Sequence, residues 1–395
     1  MKKLRLHLLA LCIITQVNLE AKKPIPVLST QDIREKFLKR FETAGYIKVD
    51  PVSVVSDNGT VVTSGLTPFR DILLGKEKRP ANKIVSIQPC IRAEAPHNDH
   101  DKVLSSDQHL TSFDSASFFS FDKPSSKKTI PLVHNFLTKE LKLDPEMLFV
   151  TVHKDDHDAL AAWKKLIPKE RISRLGDEDN LWKEQGVSPA VGGYSTEVFY
   201  DNRPQAQREK LPTPNDFRNG NMNELVNIVS HTPTLNTPSS MTPPQGPFPW
   251  QMPFSGKSFG FPRMAAVVQN VPSVYETDEI KPIMQQVERS TGKIYAKADE
   301  QTKANMRVIC DHMRTVPILI HNGVKSSDTT PAGNTLKDLL QRAQTAAKTV
   351  APKKKNILPE VAQVALQQLA PIHPQIRKNK AKILKIIRDE TNSKK

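Results

Sequence analysis

The residues with chemical potential fall in a few short clusters. His153 and His157 stand four apart in VTVHKDDHDAL, a spacing that on a helix would set two imidazoles on one face for a metal ion. No third ligand accompanies them, so a solvated surface is expected. His97 and His100 in HNDHD are read with the same caution, Asn98 and Asp99 being suited to capping the backbone of a turn. Cys12, Cys90 and Cys310 show no CxxC or Cys/His spacing, which argues against both a zinc-built fold and a disulfide framework. The remaining chemistry is electrostatic. The chain carries 57 Lys and Arg against 42 Asp and Glu, a net of +15. Residues 351–395 hold +8 of this and residues 1–28 hold +4, leaving +3 for 29–350. A near-neutral body thus has two basic ends, and the polyanion-binding signal belongs mostly to the tail. There KAKILKIIRDE, preceded by Arg377 and Lys378, makes a basic amphipathic helix with Ile383, Ile386 and Ile387 on or near one face. Such a helix suits RNA, an anionic membrane surface, or packing on neighbouring helices.

The elements that must position these residues are spread over 395 residues, 37% of them apolar, enough for two or three domains and at least one real core. No apolar run reaches the roughly eighteen residues needed to span a bilayer, which excludes an integral membrane protein. LHLLALCII at 6–14 follows a basic start and precedes Leu19-Glu20-Ala21, so residues 1–21 read as a secretory signal or, alternatively, as an upstream start or a buried helix. From Ser29, the spacing of Ile33, Phe37 and Phe41 predicts an amphipathic helix with Ser29 or Thr30 as N-cap. Strands are expected at Val52–Val55, Lys83–Ile87, 148–152 and 197–200, with a helix over 158–167. Without a regular βαβ rhythm or a GxGxxG turn, this predicts an α+β fold with a mainly antiparallel sheet flanked by helices. Ten of the 31 prolines lie between Pro204 and Pro253, so 204–253 is expected to be an irregular insertion in which only the island ELVNIV at 224–229 could pair. After Asp278 the pattern turns helical. The expected divisions are a body over 29–275, a helical domain over 276–350 and a basic helical tail over 351–395.

A longer-range pattern joins the clusters. TSGLTPFRDILLGKEKRP at 63–80 and QPCIRAEAPHNDHDKV at 88–103 resemble the catalytic domain of the alanyl-tRNA synthetases, members of class II. LFVTVHKDDHDALAAW at 148–163, NLW at 180–182, STEVFYD at 195–201, ELVNIV, GFPRMAAVVQ at 260–269, and MRVICDHMR at 306–314 with NGV at 322–324 resemble successive blocks of that family in the right order. The resemblance covers about 29 to 348, and a collinear series is far more specific than any lone motif.

The resemblance implies a class II antiparallel sheet followed by a helical tRNA-recognition part, and a two-step reaction. ATP, with magnesium, and alanine would give alanyl-adenylate, and the alanyl group would pass to the 3′-terminal adenosine of tRNA. Arg263 stands at the motif 3 arginine and Gln108 at the motif 2 arginine, the two positions it marks as catalytic. Arg92, His109, Phe113, Asp114 and Arg263 would form the ATP site, with His97, Asn98 and Asp99 at its entrance. Trp182, Val226, Asn227 and Gly256 would line the alanine pocket, Trp182 offering an indole to a methyl group, while Glu224 and Asn227 match the polar pair of an EIWN-type strand. Lys337 and Arg342 would meet tRNA. No zinc is expected.

Departures cluster where the chemistry falls. QHLTSFDSASFFSFD at 108–122 stands where the family reads RHHTFFEMLGNFSFG, and Gln108 supplies no positive charge, a loss of about 3–4 kcal/mol by analogy with deleted oxyanion donors. GKSFGFPR at 256–263 stands for DTGMGLER, so Gly256 replaces the aspartate expected on the alanine ammonium, and Ser258 and Pro262 replace a glycine and a glutamate. GVSPAVGGYSTE at 186–197 keeps Glu197 without the family's cysteines, and GNTLKDLLQRA at 333–343 places Asp338 in a phosphate-facing run. Two expectations follow. One is an ATP-dependent alanine-tRNA ligase without an editing domain, acting in the cytoplasm. The other is a catalytically degenerate paralogue that binds tRNA, nucleotide or a protein partner, exported if residues 1–21 are a signal. The oligomeric state stays open.

Overall fold

The computed structural model describes residues 27–73, 76–94, 97–121, 125–183, 192–231 and 254–392. The segment 1–21 weighed as a signal lies outside them, as does 232–253 of the proline-rich stretch. Helix α1 (Thr30–Thr43) starts as its spacing requires. Ser29 and Asp32 form a reciprocal capping box, the Asp32 amide donating to Ser29 Oγ at 3.1 Å and the Ser29 amide to Asp32 Oδ2 at 2.8 Å, which satisfies two donors that the helix itself cannot. Its apolar stripe of Ile33, Phe37 and Phe41 is fully buried.

That stripe covers one face of a nine-stranded sheet: β1 (Ile47–Lys48), β2 (Lys83–Ile91), β3 (Ser112–Ser120), β4 (Leu148–His153), β5 (Ile172–Leu175), β6 (Leu181–Lys183), β7 (Gly192–Tyr200), β8 (Asn223–His231) and β9 (Phe254–Gly260). The spatial order is β1-β2-β3-β9-β8-β7-β4-β5, with β6 added to β7. All neighbours are antiparallel except β1 with β2 and β4 with β5. The α+β expectation holds. One face is packed by α1, α2 (Ser126–Asn135), α3 (His157–Trp163) and α4 (Phe261–Val268), whose Phe37, Ile130, Trp163 and Met264 meet Phe118 and Val198 from the sheet. The other carries a smaller cluster of Leu66, Phe69, Phe119 and Val229 and, beside it, an open cleft.

Two expected elements differ. Val52–Val55 is no strand; it makes a single bridge, Val55 to Val61. The Gln88 side chain takes its backbone instead, Oε1 accepting from the Val52 amide at 2.9 Å and Nε2 donating to the Val52 carbonyl at 3.1 Å, so those groups have no need of a ladder. The island ELVNIV is more than an island: Asn223–His231 is a central strand between β9 and β7. All ten prolines of the stretch fall before Asn215 or after Thr232, so none removes a ladder donor from it.

The helical end comprises α5 (Lys281–Thr291), α6 (Glu300–His321), α7 (Pro331–Val350), α8 (Leu358–Leu369) and α9 (Ile376–Asn392). They share a core in which Met313, Leu339 and Leu366 are buried together with Ile91, Leu110 and Tyr275, so the helices are packed directly on the segment leading into β3. Among the described residues no helix is long and apolar enough to cross a membrane.

Candidate active site

The cleft is built around the entry to β3, and α6 holds that entry in place. The Thr111 amide donates to Asp311 Oδ1 at 2.8 Å and its hydroxyl to Oδ2 at 2.6 Å, while Arg314 Nη1 donates to the Ser112 carbonyl at 2.6 Å. Arg314 is in turn paired with Glu279. Strand alternation then sends Phe113 and Ser115 to the cleft and Asp114 through to the other face. There Asp114 Oδ2 lies 2.6 Å from Arg34 Nη2 and Oδ1 3.4 Å from His373 Nε2. Burial alone would raise this carboxyl, but Arg34 first and His373 next hold it far below the usual carboxylate range. Asp114, expected at the ATP site, is an internal ion-pair partner behind it.

The opposite wall comes from β9 and α4. Pro262, in the first turn of α4, suits a helix start that has no amide donor to lose, and it leaves Arg263 pointing back over the segment before β3. Arg92, Gln108, His109, Phe113, Glu224 and Arg263 line one open cleft. The Arg263 guanidinium is held on three sides: Nε donates to the Gln108 carbonyl at 3.4 Å, Nη2 to His109 Nε2 at 3.3 Å, and Nη1 stands 3.8 Å from Glu224 Oε2. Because arginine can only donate, His109 Nε2 is the acceptor and Nδ1 carries the proton toward Ser106 Oγ, 2.8 Å away. Burial, then Arg263, push the imidazole down to about 4. Arg92 lies with its guanidinium 5.1 Å over the Phe113 ring and its Nε donating to the Thr63 carbonyl at 2.9 Å. Two residues on, a Cβ at Gly65 would stand 1.9 Å from Ser117 Oγ, so glycine lets this turn lie close on β3. Gln108 turns its amide aside: Nε2 donates to the Pro272 carbonyl at 2.7 Å and Oε1 is buried without a partner.

A bulge in β8 decides the remaining polar side chains. Glu224 opposes Phe199 and Asn227 opposes Glu197, with a register break between Glu224 and Val226. In a regular strand, positions three apart face opposite ways; the extra residue brings both to one face. Glu197 and Phe199 join Gln108, His109, Glu224 and Arg263 around a second, adjoining hollow. Asn227 Nδ2 donates to Glu197, and Asn227 Oδ1 is buried without a partner. Val226 faces the helix-covered core instead.

The expected alanine pocket is not assembled in this way. Trp182 lies on β6 opposite Gly193 and packs against the cluster of Leu66, Phe119 and Val229. Gly256 lies flush on β3, where a Cβ would stand 2.0 Å from the Phe118 carbonyl, so the position has no room for any side chain, aspartate included. On α7, Lys337 is exposed, whereas Arg342 is tied to Asp101 at 3.1 Å and to the His100 carbonyl at 3.2 Å, and Asp338 lies 3.4 Å from His100 Nδ1. His97–Asn98 pairs with Ala93–Glu94 in a small ribbon.

The expected solvated histidine pair is half wrong. His157 is exposed, but His153 is 1% exposed, stacked on Tyr194 with ring centroids 4.0 Å apart and 3.0 Å from Asp177. One sits at a strand end and the other opens α3, so they share no helix face. Among the described residues no three His, Cys, Asp or Glu stand close enough to hold a metal. Sequence reasoning missed Ser106, whose three-residue offset from His109 was the available signal, and Arg34, Glu279 and Arg314, which meet only in three dimensions.

The family described as tRNA synthetases class II (A) matches residues 32–394. The alanine-tRNA ligase of Picosynechococcus sp. is 31% identical over 373 residues, 93% of this chain and 40% of that protein. That of Bdellovibrio bacteriovorus is 32% identical over 379 residues, 92% of this chain and again 40% of the relative. The chain therefore spans about 40% of the length of these curated relatives.

Proposed function

Because the chain belongs to the alanine-tRNA ligase family of class II tRNA synthetases, we propose that its cleft activates alanine with ATP and hands the aminoacyl group to tRNA. A carboxylate oxygen of alanine attacks the α-phosphorus, the bond to the bridging oxygen breaks, and pyrophosphate leaves with its magnesium. A hydroxyl of the 3′-terminal adenosine then attacks the activated carbonyl, and AMP departs. The observation that carries this reading is the convergence of Arg92, Arg263, His109 and Phe113 on one cleft. Two guanidiniums offer forked donors to phosphate oxygens, one of them, Arg92, laid over the Phe113 ring. The Glu197 and Asn227 pair offers acceptors for a substrate ammonium. Lys337 and the exposed face of α9, with Arg377, Lys378, Lys382 and Lys385, supply cations for the tRNA backbone. The reading requires a compartment that holds ATP and tRNA, as the cytoplasm does.

A second reading is favoured by two specific observations: Gln108 is anchored on Pro272, and Gly256 admits no side chain. In it the chain binds nucleotide or tRNA without forming an adenylate. Alanine-dependent exchange of pyrophosphate into ATP separates the two. Exchange above that of the Arg263→Ala variant supports the ligase; a folded protein that binds ATP without exchange for any amino acid supports the binder.

A further inference from the structure

We propose that His109 is a positioning residue for Arg263: its Nε2 accepts from the guanidinium and aims it at the phosphate end of the cleft. The functional consequence rests on the nucleotide reading above; the contact itself does not. An arginine in the first turn of a helix has a long side chain that is free to rotate, and Glu224, 3.8 Å from Nη1, would draw it toward β8. The 3.3 Å contact from Nη2 to His109 Nε2, with the 3.4 Å contact from Nε to the Gln108 carbonyl, pulls from the other side, so the fork is suspended between two walls. His109 is itself fixed. Its Nδ1 meets Ser106 Oγ at 2.8 Å, and its carbonyl accepts from the Tyr275 hydroxyl at 3.1 Å.

The arrangement works only with an imidazole that can accept. The charged groups facing it are Arg263 on α4, Arg92 after β2, Asp99 and Lys102 from the turn beyond, and Glu224 on the β8 wall. Burial and Arg263 together keep the ring neutral through the physiological range, its value pushed down to about 4. A protonated ring would present N–H to N–H and repel the group it holds. Histidine is used here for its lone pair, in contrast to its common use as a switch near neutrality.

Two substitutions separate aiming from packing. His109→Phe keeps the ring and removes the acceptor; His109→Gln places an amide oxygen near the former Nε2. ATP affinity measured by titration calorimetry should fall about tenfold or more in the Phe variant and return to within about threefold of the parent in the Gln variant, with thermal unfolding followed for both. The His109 ring itself should add no pH dependence to the parent's affinity between about pH 5.5 and 8. In parallel, NMR of the full chain should show the His109 ring titrating well below the ordinary value of about 6.5, and rising in Arg263→Ala. Equal affinity in the Phe variant, no rescue by Gln, or a ring that titrates at its ordinary value and ignores Arg263→Ala would each overturn the proposal. If the parent binds no nucleotide, the nucleotide reading fails while the ring titration still decides the contact. If the Phe variant does not fold, the Gln variant and the titration decide it.

Discussion

The arginine-bearing wall of the cleft, which the proposed reading sets against phosphate, and the wall opposite, where an amino acid would lie in that reading, share strand β3 and are built differently. On the first, each cation is held by several neighbours: Arg263 by a carbonyl, an imidazole and a carboxylate, Arg92 by a carbonyl and an aromatic face. On the second, Gly256 is pressed against the β3 backbone, Trp182 joins an apolar cluster, and Asn227 leans on Glu197. A wall of mutually positioned charges can lose one member, as at Gln108, and keep its shape. A pocket that depends on a carboxylate at a single position has none once that position becomes a backbone contact.

The largest effect should come from the residue behind both walls. Asp114→Ala leaves buried Arg34 with Glu279, 3.9 Å away, as its remaining counter-charge among the described residues; it should cost about 3–5 kcal/mol of stability, read from denaturant unfolding, and weaken both walls together. Asp114 also fixes an acid limit. Its carboxyl is depressed on folding, so its contribution is complete above the unfolded value of about 3.9 and fades as pH falls from there toward the folded value. Unfolding midpoints followed down from about pH 5 should steepen below pH 4 in the parent and less so in the variant. Retention of full stability by Asp114→Ala would show that the walls are held separately.

Next comes Arg263→Ala, which should break only the phosphate wall. Loss of one preorganised cation is expected to cost about 3–4 kcal/mol, or some 10²–10³-fold in adenylate formation, with the unfolding midpoint nearly unchanged because the side chain is one-third exposed. Nucleotide affinity and exchange would report it. A variant that exchanges as the parent does would remove Arg263 from the chemistry.

How far the two walls could be read from sequence follows the same division. Arg92, Gln108, His109, Phe113 and Arg263 lie near motif ends, where a strand or helix begins, and their meeting follows from the order of blocks. The helix at Ile33, Phe37 and Phe41 and the helical character of the chain after Asp278 were legible because a 3.6-residue period survives any partner. What was not legible depends on distant contacts. Gln88 replaces a ladder at Val52 with its side chain; the β8 bulge turns Glu224 to the side of Asn227; Asp114 finds Arg34 and His373 across the sheet. None of these leaves a local period. Gly256 is the clearest case, since a glycine at an aspartate position reads as a lost ligand, whereas here it is also a steric requirement of β9 against β3.

That requirement gives a sharper test of the second wall. Gly256→Ala forces a Cβ against the Phe118 carbonyl, at a backbone φ of +158°, and should cost about 1–3 kcal/mol of stability. Gly256→Asp should lose at least as much and gain no alanine dependence. If Gly256→Asp folds well and acquires alanine-dependent exchange, β9 can retreat from β3 and the walls are alike after all.

The smallest effect is expected from Gln108→Arg, because two terms oppose each other. Restoring a cation beside Arg263 favours a triphosphate by Coulomb attraction, worth about 1–4 kcal/mol per close pair in a partly hydrated cleft. The new guanidinium, though, gives up the amide bond to the Pro272 carbonyl, about 0.5–1.5 kcal/mol, and stands among Arg92 and Arg263, whose repulsion is relieved only when phosphate is present. The net change in ATP affinity should therefore be a gain of about tenfold or less, growing as salt is lowered since the competing terms are screened unequally. Calorimetric titration at two ionic strengths measures it. A loss of affinity at both would mean that the phosphate wall is already complete with Arg92 and Arg263, and that Gln108 belongs to the support of the Pro272 turn.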